Sequence, residues 1–393
     1  MADHPDQLAP PPPPPPPSPS SRPPLRDETD GHVDEARATA SQWQLMWWSF
    51  RKHKLAMAAA VVLLGLYLSA ALCEFIAPYG LDERDIARSY APPQPLRFVS
   101  DAGLHLRPFV YGFVSHRDEE TLQRVHEIDR SRRYPVRLFV RGEPYHLFGL
   151  IPTDRHLFGV EQPGTIHLLG TDALGQDLFS RILYGSRISL SIGLLGVAMS
   201  FVLGLAIGAA SGFFGGWIDH LIQRMIEIIQ SFPTIPLWMA LAAALPQHWS
   251  PLQVYLGITV VLSLVGWTGL AREVRGKLLS LRQEDFVTAA ILTGAPYRRV
   301  ITRHLLPLFT SHIVVVLTLA IPGMILGETA LSFLGLGLQP PVTSWGVLLQ
   351  ECQNIQALAM NPWLLTPVCF VIITVLAFNF VGDGLRDAAD PYS

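Results

Sequence analysis

Six predominantly apolar runs, each about long enough to cross a bilayer as a helix, alternate with polar stretches along the chain. They cover residues 55–72, 188–214, 221–245, 252–270, 308–327 and 364–381, and residues 73–77 prolong the first. Pro233 and Pro236 lie inside the third run, which is expected to bend there, and Pro322 with Gly323 is expected to break the fifth. The polar stretch at 272–307 carries seven basic residues, Arg272, Arg275, Lys277, Arg282, Arg298, Arg299 and Arg303, and by the positive-inside rule it faces the cytoplasm. Trp43, Trp47, Trp48 and Phe50, followed by Arg51, Lys52, His53 and Lys54, form an aromatic and basic collar on the same side of the first run. Six crossings then return the carboxyl end to the cytoplasm. Residues 329–363 hold no Lys or Arg and belong outside, where the amphipathic part of 330–349 is expected to lie flat as a re-entrant or interfacial helix.

Within 272–307 the pattern predicts a helix, a break and a second helix. Residues 283–293 tolerate helix, Gly294 can adopt the left-handed conformation that ends one, and Pro296 suits the first turn of the next. The small side chains of Ala289 and Ala290 would let a partner surface approach the backbone, with the surrounding arginines adding charge complementarity. The plainer alternative is a basic loop with an accidental Ala-Ala. In the second run Gly204, Gly208 and Gly212 share one helical face, a stripe for close packing or, alternatively, for lining a ligand path. Arg224 and Glu227, three apart, read as an ion pair or interfacial residues rather than a proton relay.

Composition adjusts this picture only slightly. The chain has 393 residues, 49% hydrophobic and 16% charged, with a net charge of -3, so no basic field points to nucleic acid. Cys73, Cys352 and Cys369 are too scattered for a disulfide framework or a zinc site. Residues 1–42, with prolines from Pro10 to Pro17, read as a disordered cytoplasmic tail, either solvated or a ligand for an SH3-like partner. The first apolar run begins too late and is too long for a signal peptide. Residues 78–187 form a polar external insert with 14 Arg and 14 Asp or Glu. Strand-rich 136–140 and 145–150 flank Arg141-Gly142-Glu143-Pro144 as a hairpin, and 119–130 reads as a short helix, giving a small mixed α/β lobe over the outer mouth. Gly170 and Gly175 have phosphate-loop spacing, but Gln176 and Asp177 stand where Lys and Ser or Thr are needed, so no nucleotide site is expected.

The residues around Gly294 resemble the Glu-Ala-Ala loop of permease subunits of binding-protein-dependent ABC importers. Ala289, Ala290, Gly294, Leu306 and Pro307 fall at that motif's spacings, while Thr288 replaces its usual Glu and His304 its usual Ile. Gly170-Thr171-Asp172, with Gly175 and Asp177, resembles the C-type subunits of dipeptide and oligopeptide permeases. So do Glu328, Ser332, Gly335, Gly337, Pro340 and Trp345, and Gly384-Leu385-Arg386-Asp387 near the end. The resemblance is strong over 168–393 and weak over 45–80. It implies an all-α membrane protein with six transmembrane helices in the type I ABC importer permease fold, the small mixed α/β insert being additional. The expected divisions are a tail at 1–42, a first span at 43–77, the insert at 78–187 and a permease core at 188–393.

The resemblance further implies a transport subunit, not an enzyme, in a bacterial inner membrane. Its partners would be a second permease subunit, two ATPase subunits that use ATP and Mg, and an external substrate-binding protein. No cofactor would bind this chain directly. Glu284, Thr288, Ala289, Ala290, Gly294, Ala295, Arg298, Arg299, Leu306 and Pro307 would couple to an ATPase. Peptides are the first expected cargo; nickel chelates, opines or oligosaccharides are carried by relatives with the same motifs. An ion-coupled transporter would need ionisable groups at mid-membrane and usually an internal repeat, and the runs supply neither. An intramembrane enzyme would need a catalytic motif, and none occurs.

Overall fold

A computed structural model describes residues 41–100, 103–117, 124–246, 248–296 and 299–389. The expected tail at 1–42 falls almost wholly outside the described residues, as does Arg298. The chain enters through α1 (Gln42–Lys52), capped by Ser41 and Gln44 in a reciprocal capping box, and continues through α2 (Lys54–Ala71) and the short α3 (Cys73–Ile76). After the insert come α4 (Leu178–Phe214), α5 (Gly216–Ser231), α6 (Thr234–Ala243) and α7 (Pro251–Leu281). The elbow helix α8 (Asp285–Leu292) leads into α9 (Thr310–Phe333), then α10 (Trp345–Gln350), α11 (Ile355–Met360) and α12 (Thr366–Ala389). Among the described residues five helices are long and apolar enough to cross a membrane, and α5 with α6 makes a sixth if the pair, bent by 89°, is one span. The bend falls at Phe232–Pro233, where proline can supply no helical N–H, so the third run breaks outright.

The fifth run behaves differently from expectation. Pro322 lies inside an unbroken α9 and is itself buried; membrane-spanning helices tolerate proline where surrounding groups can satisfy the freed backbone. Packing between helices in lipid cannot draw on the hydrophobic effect and relies on close contact of small residues. Gly204, Gly208 and Gly212 make that contact against α7. A Cβ on Gly208 would lie 2.6 Å from Ala271 O, and one on Gly212 2.8 Å from Arg275 O. One core gathers Ile182, Leu190, Ile258, Leu262, Ile325, Leu331 and the fully buried Trp345; a second, beneath the elbow, gathers Val274, Leu278, Val287, Val300 and Leu305.

The insert is built of strands, with one 3-10 turn at Ile86–Arg88 among its described residues, rather than mixed α/β. Strands β1 (Arg97–Ser100), β2 (Gly103–Arg117) and β3 (Arg124–Pro135) form an antiparallel sheet in that order, and β4 (Arg137–Leu147) pairs with β5 (Ile151–Gly159). The expected helix at 119–130 is strand from Arg124 onward, fixed by cross-strand pairs such as Arg117 with Arg124 and Tyr111 with Arg133. The expected turn at 141–144 is a bulge within β4, and the hairpin closes at Phe148-Gly149, between Leu147 and Ile151.

Candidate functional site

Three groups of residues singled out in the sequence occupy distinct places. The first is the elbow. The run of helix ends where Gly294 turns left-handed at φ 84°, with its N–H donating to Ile291 O at 2.9 Å and that of Ala295 to Ala290 O at 3.1 Å. Past Pro296, whose carbonyl accepts from Arg299 N at 2.8 Å and Val300 N at 3.2 Å, the chain is helical again and continues as a π-type turn at Val300–Leu305 and a 3-10 turn at Leu306–Phe309. Val287, Val300 and Leu305 are fully buried against α7, so the elbow sits on a firm pedestal. Glu284, Thr288, Ala289, Gly294 and Arg299 are exposed, and Ala289, Ala290, Gly294, Ala295 and Arg299 line part of a shallow dish of about 430 Å³. Beside it stand Phe286, 42% exposed, and Leu292, 82% exposed. Neither was singled out in the sequence, although apolar residues on the outer face of so short a helix were the available signal.

The second group clasps the insert to the helical core. Asp177 caps α4, its carboxylate accepting from Ser180 N at 2.8 Å and from Ser180 Oγ at 2.7 Å. Its other oxygen lies 3.0 Å from His167 Nδ1. Asp172 accepts from Leu174 N and Gln176 N and pairs with the buried Arg181, which also lies 3.6 Å from Glu351. Burial, and next the charge of Asp172, push Glu351 up to about 6, with Arg181 opposing. Gly170 and Gly175 are both left-handed, and a Cβ on Gly170 would meet Ala91 O at 2.7 Å. Thr171 Oγ1 accepts from Ala91 N at 2.7 Å, and Trp363 Nε1 donates to Thr171 O at 3.0 Å. The glycines thus permit close backbone approach and do not cradle a phosphate.

The third group is a hydroxyl cage. Glu328, fully buried on α9, accepts from Ser344 Oγ at 2.6 Å, Ser332 Oγ at 2.8 Å and Ser189 Oγ at 3.0 Å. Ser332 Oγ in turn accepts from Leu338 N at 3.0 Å and Ser189 Oγ from Trp345 N at 3.2 Å, so one carboxyl ties α4, α9 and the 334–345 segment together. Trp345, Gly346, Val347, Leu348 and Leu349 are all buried, which corrects the expectation of a flat amphipathic helix. Gly337 and Gly346 allow the closeness: added Cβ atoms would lie 2.5 Å from Ser332 Oγ and 2.7 Å from Thr329 O. Gly335, left-handed at φ 77°, turns the chain, and Pro340 lines a cavity of about 720 Å³ between this segment and the end of α6. Arg224 and Glu227 pair at 2.8 Å on the surface of α5, as their spacing suggested.

Long apolar helices, a bent span and an exposed elbow on a buried pedestal describe a helical protein with several candidate membrane spans. Residues 201–392 match the family described as binding-protein-dependent transport system inner membrane component, and residues 41–93 match the N-terminal transmembrane domain of oligopeptide transport permease C. The oligopeptide transport system permease protein OppC of Haemophilus influenzae is 43% identical over 226 residues, 57% of this chain and 70% of that one. The dipeptide permease DppC of Bacillus subtilis is 38% identical over 58% of this chain and 70% of that protein, and the glutathione permease GsiD of Pectobacterium atrosepticum is 38% identical over 59% and 74%. An inward-facing methionine ABC transporter overlays with a TM-score of 0.43 at 19% identity, covering 54% of this chain and 97% of that one, too loosely to carry detail. The chain belongs to the permease subunits of binding-protein-dependent ABC importers, in the oligopeptide and dipeptide C-type branch, and has their type I helical fold.

Proposed function

We propose that this chain is one permease half of an ATP-driven importer that moves peptides across a bacterial inner membrane. It would pair with a second permease subunit, receive cargo from an external binding protein, and be driven by two ATPase subunits that consume ATP with Mg. Both ends of the chain and the elbow at 272–307 would lie in the cytoplasm, with the insert at 78–187 outside and the core at 188–393 forming the path. Peptide cargo is inferred from relatives named for oligopeptides, dipeptides and glutathione.

The observation that carries the coupling role is the exposed dish around Gly294, flanked by Phe286 and Leu292 and rooted in a buried core. An apolar face this exposed at the end of a rigid helix suits a groove on a partner, and a firm pedestal lets that partner move α7 as a body. Replacing Ala289 with Arg tests it, because the residue is exposed and its change spares the fold. In the reconstituted assembly, ATP hydrolysis is expected to persist while uptake falls by at least about tenfold, a loss of coupling of the order of 1.4 kcal/mol or more. Uptake at the unaltered rate with normal assembly refutes the role.

A further inference from the structure

The first two helices meet the last one in an arrangement that the coupling elbow does not use. Only His53 separates α1 from α2, and α12 ends beside them. A Cβ on Gly384 of α12 would come 2.3 Å from Ala56 Cβ and 3.2 Å from the Phe50 ring, so residues six apart in sequence reach the same point. In a straight helix they would stand about 9 Å apart along the axis. His53 meanwhile meets Asp387 at 3.0 Å, three residues nearer the end of α12 than Gly384. Followed backwards from His53 to Phe50, the chain therefore turns back towards the body of α12 instead of running on past its end. α1 lies across the ends of α2 and α12.

These contacts fix a depth for α1. Ala56 is the third residue of a candidate span, Lys54–Ala71, and Phe50 is level with it. Met46 and Phe50, one turn apart, are the buried side of α1, and Phe50 shares a small core with Ala56 and Ala388. Trp43 and Trp47, also one turn apart, are 53% and 52% exposed. Arg51, Lys52 and Lys54 are exposed too, and among the described residues only His53 of this basic run has an acidic partner, Asp387. From Ser41 to Cys73 the chain has no Asp or Glu, and α12 adds Asp383, Arg386 and Asp387 at this end, so the corner keeps a basic excess. Exposed groups level with the first turn of a span lie at headgroup depth, the layer that takes up tryptophan rings and basic side chains.

We propose that α1 is an interfacial helix that holds anionic phospholipid, with Trp43 and Trp47 seated among the headgroups and Arg51, Lys52 and Lys54 on lipid phosphates. Tryptophans beside a run of Arg and Lys suit a helix lying in that layer. Phe50, grouped with the tryptophans in the sequence, instead ties α1 to α12 and has no part in the lipid face. The inference rests on α2 and α12 crossing a membrane, and not on the cargo or on which side of the membrane this end faces.

The test uses the full chain with Cys73, Cys352 and Cys369 replaced and one nitroxide-labelled position, Trp47→Cys. In nanodiscs of phosphatidylcholine and phosphatidylglycerol, collision rates with oxygen and with a soluble nickel chelate are compared by power saturation. Val61→Cys, 64% exposed on α2, and Arg132→Cys, 70% exposed on β3, are the hydrocarbon and water references. Position 47 is expected to fall between them for both reagents, and Trp43→Cys to behave alike. Values equal to those at 132 or at 61 put the helix in water or in hydrocarbon, and exclusion of both reagents puts it against protein. Each of these overturns the placement. The lipid choice is read on the combined variant Arg51→Gln, Lys52→Gln and Lys54→Gln, whose three positions are exposed and spare the fold. The ratio of phosphatidylglycerol to phosphatidylcholine retained through detergent extraction, counted by native mass spectrometry, should fall by at least about fivefold, the effect of one basic side chain near an anionic surface. A ratio equal to that of the parent refutes the phosphate contacts.

Discussion

A single methyl at position 208 would measure how tightly α4 and α7 are joined. Gly208→Ala puts a Cβ 2.6 Å from Ala271 O and 2.9 Å from Ala271 Cα, where ordinary contact begins at 3.4 Å. The shortfall is 3.4 minus 2.6, or 0.8 Å, and the obstructing atoms are backbone, so no side chain can rotate aside. Overpacking of this kind costs about 1–3 kcal/mol, from which alanine's better helix propensity recovers just under ~1 kcal/mol. With backbone as the obstruction the upper end applies, and the net loss of about 2 kcal/mol should lower Tm by roughly 2–3 °C. The matched control is Gly276→Ala on α7, where nothing lies within 4 Å of the added carbon and Tm should hold or rise. Thermal unfolding of both variants in the same detergent, read by tryptophan fluorescence, makes the comparison. Equal Tm values for the two variants would refute direct backbone contact at the crossing.

The hydroxyl cage makes a different demand. Glu328→Leu strands three hydroxyls that each lose an acceptor, a cost of about 3 kcal/mol or more, whereas Glu328→Gln keeps an acceptor oxygen and should stay within about 1 kcal/mol of the parent. Chemical denaturation of the two variants checks the order. Glu351 has its folded pKa raised to about 6, so ionising it costs stability above that pH; the cost eases as pH falls through 6 and is gone below the ordinary carboxyl range. From pH 7.5 to 5 the parent should gain about 1 kcal/mol relative to Glu351→Gln, and a parallel pH profile for the two would refute the assignment. Gly294→Ala meets no neighbour, so it should show only left-handed strain of about 1 kcal/mol, visible as a small drop in Tm with helix content unchanged.

The spans were readable because length and apolarity are local properties, and the end of α8 was readable because Gly294 and Pro296 punctuate it. The strand β3 was not. Residues 124–135 contain few apolar side chains and no clean alternation, and they are strand because β2 pairs with them across the sheet. Gly142 looked like a turn residue, yet it is glycine because a Cβ there would come 2.5 Å from the His156 ring. The true turn uses Phe148 at φ 55°, a conformation that its side chain gave no reason to expect. The motif residues from Gly170 to Asp177 and from Glu328 to Trp345 were found, but not what they do. Their partners Ala91, Ser189 and Trp363 are far away in sequence and join them only in the folded chain.

The corner between α5 and α6 has a mechanical meaning. Asp219, in the first turn of α5, is held by Arg275 through contacts of 2.5 and 2.6 Å, and Arg275 sits on α7 just above the elbow. If the proposed coupling holds, a thrust delivered along α7 would be handed at that ion pair to one arm of a right-angled crank. When one arm of such a crank slides, the other sweeps sideways, so a small axial push at one end of α5 would become a lateral stroke of residues 234–243, bent from it by 89°.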